Sequence, residues 1–223
     1  MIQNNIQHIK GKIADKCLKI GRKPEEITLV AVSKQNPLSS IIEAAKYNIL
    51  DFGENKAQEL KQKTSEFIGE INWHFIGHLQ TNKVKDIISS TYLIHSVDSI
   101  KLAKEINKRA ENIKKIQNVL IEVNTSGEES KFGLNLYDKI FELAEFCKSC
   151  SNINLMGLMT MAPFTDDEIV IRNSFRNLKN IFEKLNSEGF TLTELSMGMT
   201  NDFEIAIEEG ATILRIGTAI FRN

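Results

Sequence analysis

Short apolar runs recur along this chain with a regular rhythm. They fall at 27–34, 49–55, 73–78, 93–97, 118–124, 155–160, 193–198 and 212–217. Each has the length of a strand, and longer segments with helical period lie between them. Ile100, Ala103, Ile106, Ala110 and Ile113 share one helical face behind a cap at Asp98. Leu136, Ile140, Leu143, Ala144 and Cys147 form a second stripe, and Ile171, Phe175, Leu178, Phe182 and Leu185 a third. A helix near 2–20 precedes the first run, with Ile6, Ile9, Ile13 and Leu18 as its apolar positions. Strands that alternate with helices pair in parallel. Eight such units in 223 residues predict an α/β fold, a single-domain (β/α)8 TIM barrel, with an open doubly wound sheet as the competing arrangement. After the eighth run only Thr218 to Asn223 remain, too few for a full last helix, and the N-terminal helix is placed to cover that gap. With three prolines and no low-complexity stretch, residues 1–223 read as one domain.

The first run, Ile27-Thr-Leu-Val-Ala-Val-Ser-Lys34, ends on a lysine. Asn36-Pro37 then reads as a helix cap and the first helical residue. In a closed barrel side chains alternate between lumen and helices, so an inward Lys34 brings Val32 and Val30 inward and turns Leu29 and Ala31 to the helices. Chemistry in this fold sits at the C-terminal ends of the strands. A desolvated amine there is a carbonyl-trapping nucleophile. Taken alone, Lys34 also fits a lysine that marks the strand end and points to water.

Two further segments give that amine a ligand. Leu195-Ser-Met-Gly-Met-Thr-Asn-Asp202 follows a strand and opens a helix over Phe203–Glu209. Gly198 lets the backbone approach a ligand, and Ser196 and Thr200 add hydroxyls to a helix start, a combination suited to a phosphate dianion. Asp202 opposes an anion unless its carboxylate turns away to cap the helix. Leu214-Arg-Ile-Gly-Thr-Ala219 closes the eighth run, where Gly217 and Thr218 offer more donors and Arg215 shares inward parity with Gly217. In a barrel the loops after strands seven and eight are the usual phosphate site, and the eighth strand neighbours the first. A nucleophilic amine, a phosphate cradle and a fixed cation at one barrel end are the parts of a pyridoxal phosphate site. A plain strand-to-helix cap and an arginine paired with a structural carboxylate are the simpler readings of these two segments.

Composition narrows the field. The chain is 42% hydrophobic and 26% charged, with net charge −1, which argues against a nucleic-acid or membrane surface as its main partner. No leader architecture and no span-length apolar run point to a cytoplasmic location. The odd, low count of cysteines, Cys17, Cys147 and Cys150, argues against a disulfide framework, and Cys147-Lys-Ser-Cys150 lacks a second ligand pair. His74 and His78 stand four apart in an apolar run, about 13 Å in a strand and too far for one metal ion. His78 and Asn55 are candidates for the pocket, and His74 for an interior histidine.

The motifs in order are Val30-Ala-Val-Ser-Lys34, Phe52-Gly-Glu-Asn55 with Gln58-Glu59, Trp73-His-Phe-Ile-Gly-His-Leu-Gln80, Val123-Asn124 with Lys131-Phe-Gly133, Gly157-Leu-Met159, Ser196-Met-Gly-Met-Thr200 and Arg215-Ile-Gly-Thr-Ala-Ile-Phe221. In this order they resemble the pyridoxal phosphate homeostasis proteins, the YggS/PROSC family, over nearly the whole chain. The resemblance implies a barrel similar to the N-terminal domain of alanine racemases and a Schiff base between Lys34 and pyridoxal 5′-phosphate. It places Ser196, Gly198, Thr200, Gly217 and Thr218 on the phosphate, Arg215 at the pyridine nitrogen, and Asn55, His78 and Met159 in the pocket. The chain departs from the family at Arg222, where a glycine is usual.

The function so implied is a non-catalytic cofactor carrier in vitamin B6 homeostasis, with effects on amino-acid balance. Its partners are the cofactor and apo forms of enzymes that use it, and monomer is the default state. The competing readings are a weak amino-acid racemase and a phosphate-binding sugar isomerase. Racemases of this fold type carry a further β domain, and the three tyrosines Tyr47, Tyr92 and Tyr137 stand in no second-base motif. An arginine at the pyridine nitrogen cannot take its proton, which weakens carbanion chemistry.

Overall fold

The computed structural model describes residues 1–128 and 132–222, so Lys131 and Asn223 lie outside the described residues. Helix α1 (Ile2–Lys19) leads to β1 (Thr28–Val32), α2 (Leu38–Ala45), β2 (Asp51–Glu54), α3 (Ala57–Glu66) and β3 (Asn72–Phe75). The one-turn α4 (Val84–Ile87) precedes β4 (Thr91–Val97), α5 (Ile100–Asn112) and β5 (Gln117–Glu122). Then come α6 (Tyr137–Ser149), β6 (Ile153–Met159), α7 (Glu168–Ser187), β7 (Glu194–Ser196), α8 (Phe203–Glu208), β8 (Ile213–Ile216) and α9 (Thr218–Phe221). All eight strands are parallel and neighbours in sequence order, and β8 returns to β1. The closed ring excludes the open doubly wound sheet.

Closure divides the apolar residues into two sets. Val30, Leu93, Leu120, Met159 and Ile213 fill the lumen. Leu29, Ala31, Phe52, Ile94 and Ile121 join the layer between strands and helices. The alternation expected for β1 therefore holds: Val30 faces in and Ala31 out. A fully buried side chain such as Leu120 contributes about 1.5–3 kcal/mol by leaving water. Helix α1 packs on α2, α8 and α9 and covers the strand junction that a full eighth helix would shield.

Several boundaries shift from the sequence pattern. Ser99, not Asp98, caps α5: its Oγ accepts the Leu102 N–H at 3.3 Å. Ile113 follows the end of α5 and is half-exposed. On α1 the buried stripe ends on Cys17, four residues after Ile13, and Leu18 is exposed. Leu136 is exposed because α6 begins one residue later, and α8 ends at Glu208. No helix among the described residues is long and apolar enough to cross a membrane.

Candidate functional site

Lys34 lies just beyond β1, on a turn rather than in the strand. Ser33 to Asn36 form a β-turn closed by the Asn36 N–H donating to Ser33 O at 3.0 Å. Gln35 sits in the left-handed region with φ 62 while Lys34 does not, the pattern of a type II turn. Asn36 thus closes a turn instead of capping a helix, and Pro37 is the N-cap of α2. The Lys34 side chain is exposed and makes no hydrogen bond or ion pair among the described residues.

A cavity of about 530 Å³ opens at this C-terminal end of the barrel. Lys34, Asn55, Thr200, Arg215, Gly217 and Thr218 line it, so six of the ten expected site residues meet there. The size is that of a small-molecule site. On the neighbouring β8 side of the cavity the Thr218 hydroxyl donates to Thr200 Oγ1 at 2.9 Å. Gly217 lies so close to β1 that a Cβ there would stand 3.1 Å from Val32 O. Thr218 and Ala219 open α9, so their N–H groups have no acceptor within that helix.

Arg215 forms the buried side of the cavity and is 4% exposed. It donates to Ser196 Oγ at 2.6 Å and to Thr160 O at 2.9 Å. Burial lowers its pKa to about 10, against the pull of Asp202 and Glu122, so it stays a cation at neutral pH. No carboxylate among the described residues lies within salt-bridge reach of it, which removes the simpler reading of a paired structural arginine.

The four remaining expected residues lie elsewhere. Ser196 is fully buried in the lumen, and its hydroxyl is engaged by Arg215 and, at 2.9 Å, by His95 Nδ1. It supports the arginine rather than a phosphate. Burial, then His74 and Arg215, hold His95 well below the usual histidine range, so it is neutral. Arginine has only donors, so the Ser196 proton goes to His95 Nδ1. His95 Nε2–H then donates to His74 Nδ1 at 2.9 Å, and His74 Nε2–H to Asp51 Oδ1 at 2.9 Å. A polar string thus crosses the lumen from Arg215 to Asp51, with His74 as the interior histidine the sequence suggested. Met159 belongs to the apolar lumen cluster. Gly198 does not line the cavity; its φ is 96, and a Cβ there would stand 2.6 Å from Ala206 Cβ, so it allows α8 to pack on the barrel. His78 stacks on Phe132, with ring centroids 4.0 Å apart, and its Nδ1 is 3.6 Å from Asp98, outside the cavity. Asp202 accepts the Met199 N–H at 2.5 Å instead of capping α8 through its side chain, and it borders the cavity near Arg215.

The sequence pattern missed the loop after β6. Met161, Pro163, Phe164 and Asp166 border the cavity, and Phe164 is 97% exposed. The Met-Ala-Pro-Phe-Thr-Asp stretch, with a proline just past a strand, was the available signal.

A family profile described as the N-terminal domain of alanine racemase matches residues 2–222. The pyridoxal phosphate homeostasis protein of Aquifex aeolicus (strain VF5) is 41% identical over 97% of this chain and 95% of its own length. That of Vibrio alginolyticus is 40% identical over 99% and 96%. The chain belongs to the pyridoxal phosphate homeostasis protein family. Among solved structures, the family member PipY of Synechococcus elongatus PCC7942, with PLP bound, superposes with TM-score 0.83 at 29% identity, covering 94% of this chain and 99% of PipY. Alanine racemase of Clostridium difficile 630 shares the fold at TM-score 0.79 and 15% identity, and this chain spans 56% of it.

Proposed function

We propose that this protein holds pyridoxal 5′-phosphate at the barrel mouth and serves cofactor and amino-acid balance rather than turnover. One observation carries the reading: an exposed amine without a partner shares a cavity with a hydroxyl pair and a buried cation. The cofactor supplies an aldehyde that a lysine amine converts to an imine with loss of water. Lys34 is the amine. Thr200, Thr218 and the N–H groups opening α9 suit the phosphate, and Gly217 keeps the wall thin beside them. Arg215 offers only donors, so it leaves a pyridine nitrogen unprotonated and the ring a poor electron sink. Asn55 borders the same space.

The names of the relatives and the PLP-bound PipY support this assignment. Of Tyr47, Tyr92 and Tyr137, none lines the cavity, which favours holding over racemisation. Because Lys34 is exposed, an incoming amine, free or on an apo-enzyme, can reach it. Net charge −1 supports small-molecule and protein partners over nucleic acid, and a cavity lined from one barrel is compatible with a monomer.

Absorbance titration with pyridoxal 5′-phosphate tests the reading, together with incubation of the loaded protein with L- and D-alanine in deuterated water. Wild type gains a visible chromophore at one equivalent, Lys34→Ala gains none, and no α-deuterium enters alanine. A chromophore on Lys34→Ala would contradict the anchor, and rapid deuteration would favour the racemase.

A further inference from the structure

One buried ammonium converges on the turn that carries Lys34. Lys63, on α3, is 7% exposed, and its Nζ donates to Ser33 O at 2.9 Å, Glu54 Oε1 at 2.7 Å and Glu59 Oε1 at 2.7 Å. An ammonium has three N–H donors, so this set fills it. Glu54 is fully buried; its Oε1 also accepts the Ser33 hydroxyl at 2.6 Å, and its Oε2 has no partner. Glu59 Oε1 accepts the Gln35 N–H at 2.7 Å. The residues on both sides of Lys34 are therefore tied to the same cation, Ser33 directly and Gln35 through Glu59.

The turn needs such a tether. Its third position favours glycine, and an ordinary side chain with positive φ is disfavoured there by about tenfold. The bonds made within the turn itself are few: Asn36 N–H to Ser33 O, and Asn36 Nδ2 to Lys34 O at 3.1 Å. A buried charge cluster adds little stability over apolar packing of the same volume. Its location under this one turn is thus better explained by position than by stability.

We infer that Lys63, with Glu54 and Glu59, is a positioning cluster that holds the turn so that the Lys34 amine projects into the cavity. This rests on the reading of Lys34 as the covalent anchor. Lys63 does not line the cavity and is not a second anchor. Loss of the cluster frees Gln35 to leave the left-handed region, and Lys34 then spends less time directed into the cavity.

Two ligands separate positioning from general damage. Pyridoxal 5′-phosphate reports the covalent linkage by its visible chromophore. Pyridoxine 5′-phosphate has the same ring and phosphate but no aldehyde, and reports the cavity alone. Wild type, Lys63→Met, Glu59→Ala and the control Lys61→Met are titrated with both, and amide exchange is read at Gln35. Lys63→Met and Glu59→Ala are expected to weaken the linkage about tenfold and speed Gln35 exchange, with pyridoxine 5′-phosphate affinity within about twofold of wild type. Lys61, paired with Asp86 on the exposed side of α3, is expected to behave as wild type on substitution. Wild-type linkage and Gln35 protection in folded Lys63→Met or Glu59→Ala would overturn the inference, as would equal loss for both ligands. If Lys63→Met does not fold, Glu59→Ala decides, since Glu59 is part-exposed and its loss leaves the Lys63–Glu54 pair intact. A wild type with no chromophore overturns the anchor reading itself, and the inference with it.

Discussion

Glu122 is 3% exposed on the lumen parity of Leu120, and its Oε2 has no partner. Burial, then the nearby Asp98, push its pKa up from 4.5 to about 7, against the opposing pull of Arg215. The sign follows from proton counting. Between 4.5 and about 7 the unfolded chain ionises this group while the folded chain keeps its proton, so stability falls as pH rises. The loss amounts to about 3 kcal/mol once pH exceeds the folded value, and it is absent below the unfolded one. Glu122→Gln removes this slope, so urea unfolding at pH about 8 is expected to find the variant more stable than wild type and near parity at pH about 5. Equal pH slopes in the two proteins would contradict it. Gly198 offers a second test at this scale. Gly198→Ala meets Ala206 at 2.6 Å with φ 96 and is expected to lose about 2–4 kcal/mol in the same assay.

At the scale of elements, the loop after β7 and the start of α9 meet through the Thr218–Thr200 hydroxyl contact. Thr218→Val removes one donor to a dianion. Its affinity for pyridoxal 5′-phosphate is expected to fall about tenfold to hundredfold, and its affinity for pyridoxal, which lacks the phosphate, to stay within about threefold. Equal losses in paired titrations would move the phosphate elsewhere. The strands themselves were legible because parallel strands buried on both faces leave continuous apolar runs, as at 27–34 and 118–124. Lys34, Arg215, Gly217 and Thr218 were legible because strand order and parity bring the ends of β8 and β1 together. Lys63 was not. It lies in a polar helix that reads as solvated; Glu59, four residues before it, is a local partner, but Ser33 O and Glu54 come from the turn after β1 and from β2, contacts no local pattern encodes. The place of His78 outside the cavity was not legible for a similar reason, since the ring it stacks on, Phe132, comes from the loop after β5. Ser196 ends β7 within the seventh apolar run, and its hydroxyl, expected on a phosphate, meets Arg215 and His95 in the lumen.

For the molecule as a whole, closure of the barrel puts the cavity at one end and a lumen of mixed apolar and polar side chains beneath it. Lys34 stands on a tethered turn at the mouth, and the lumen string from Arg215 to Asp51 runs below. An exposed anchor suits exchange: loaded protein mixed with an apo-enzyme that uses the cofactor is expected to activate it faster than the same amount of free cofactor. Activation no faster than with free cofactor would argue for storage without delivery. The central claim, that Lys34 bears the cofactor, is tested most directly by reducing loaded protein with borohydride, digesting it and sequencing the peptides by mass spectrometry. The account predicts a pyridoxyl phosphate adduct on Lys34, at the junction of β1 and its turn. An unmodified Lys34 with the adduct on another lysine would contradict it.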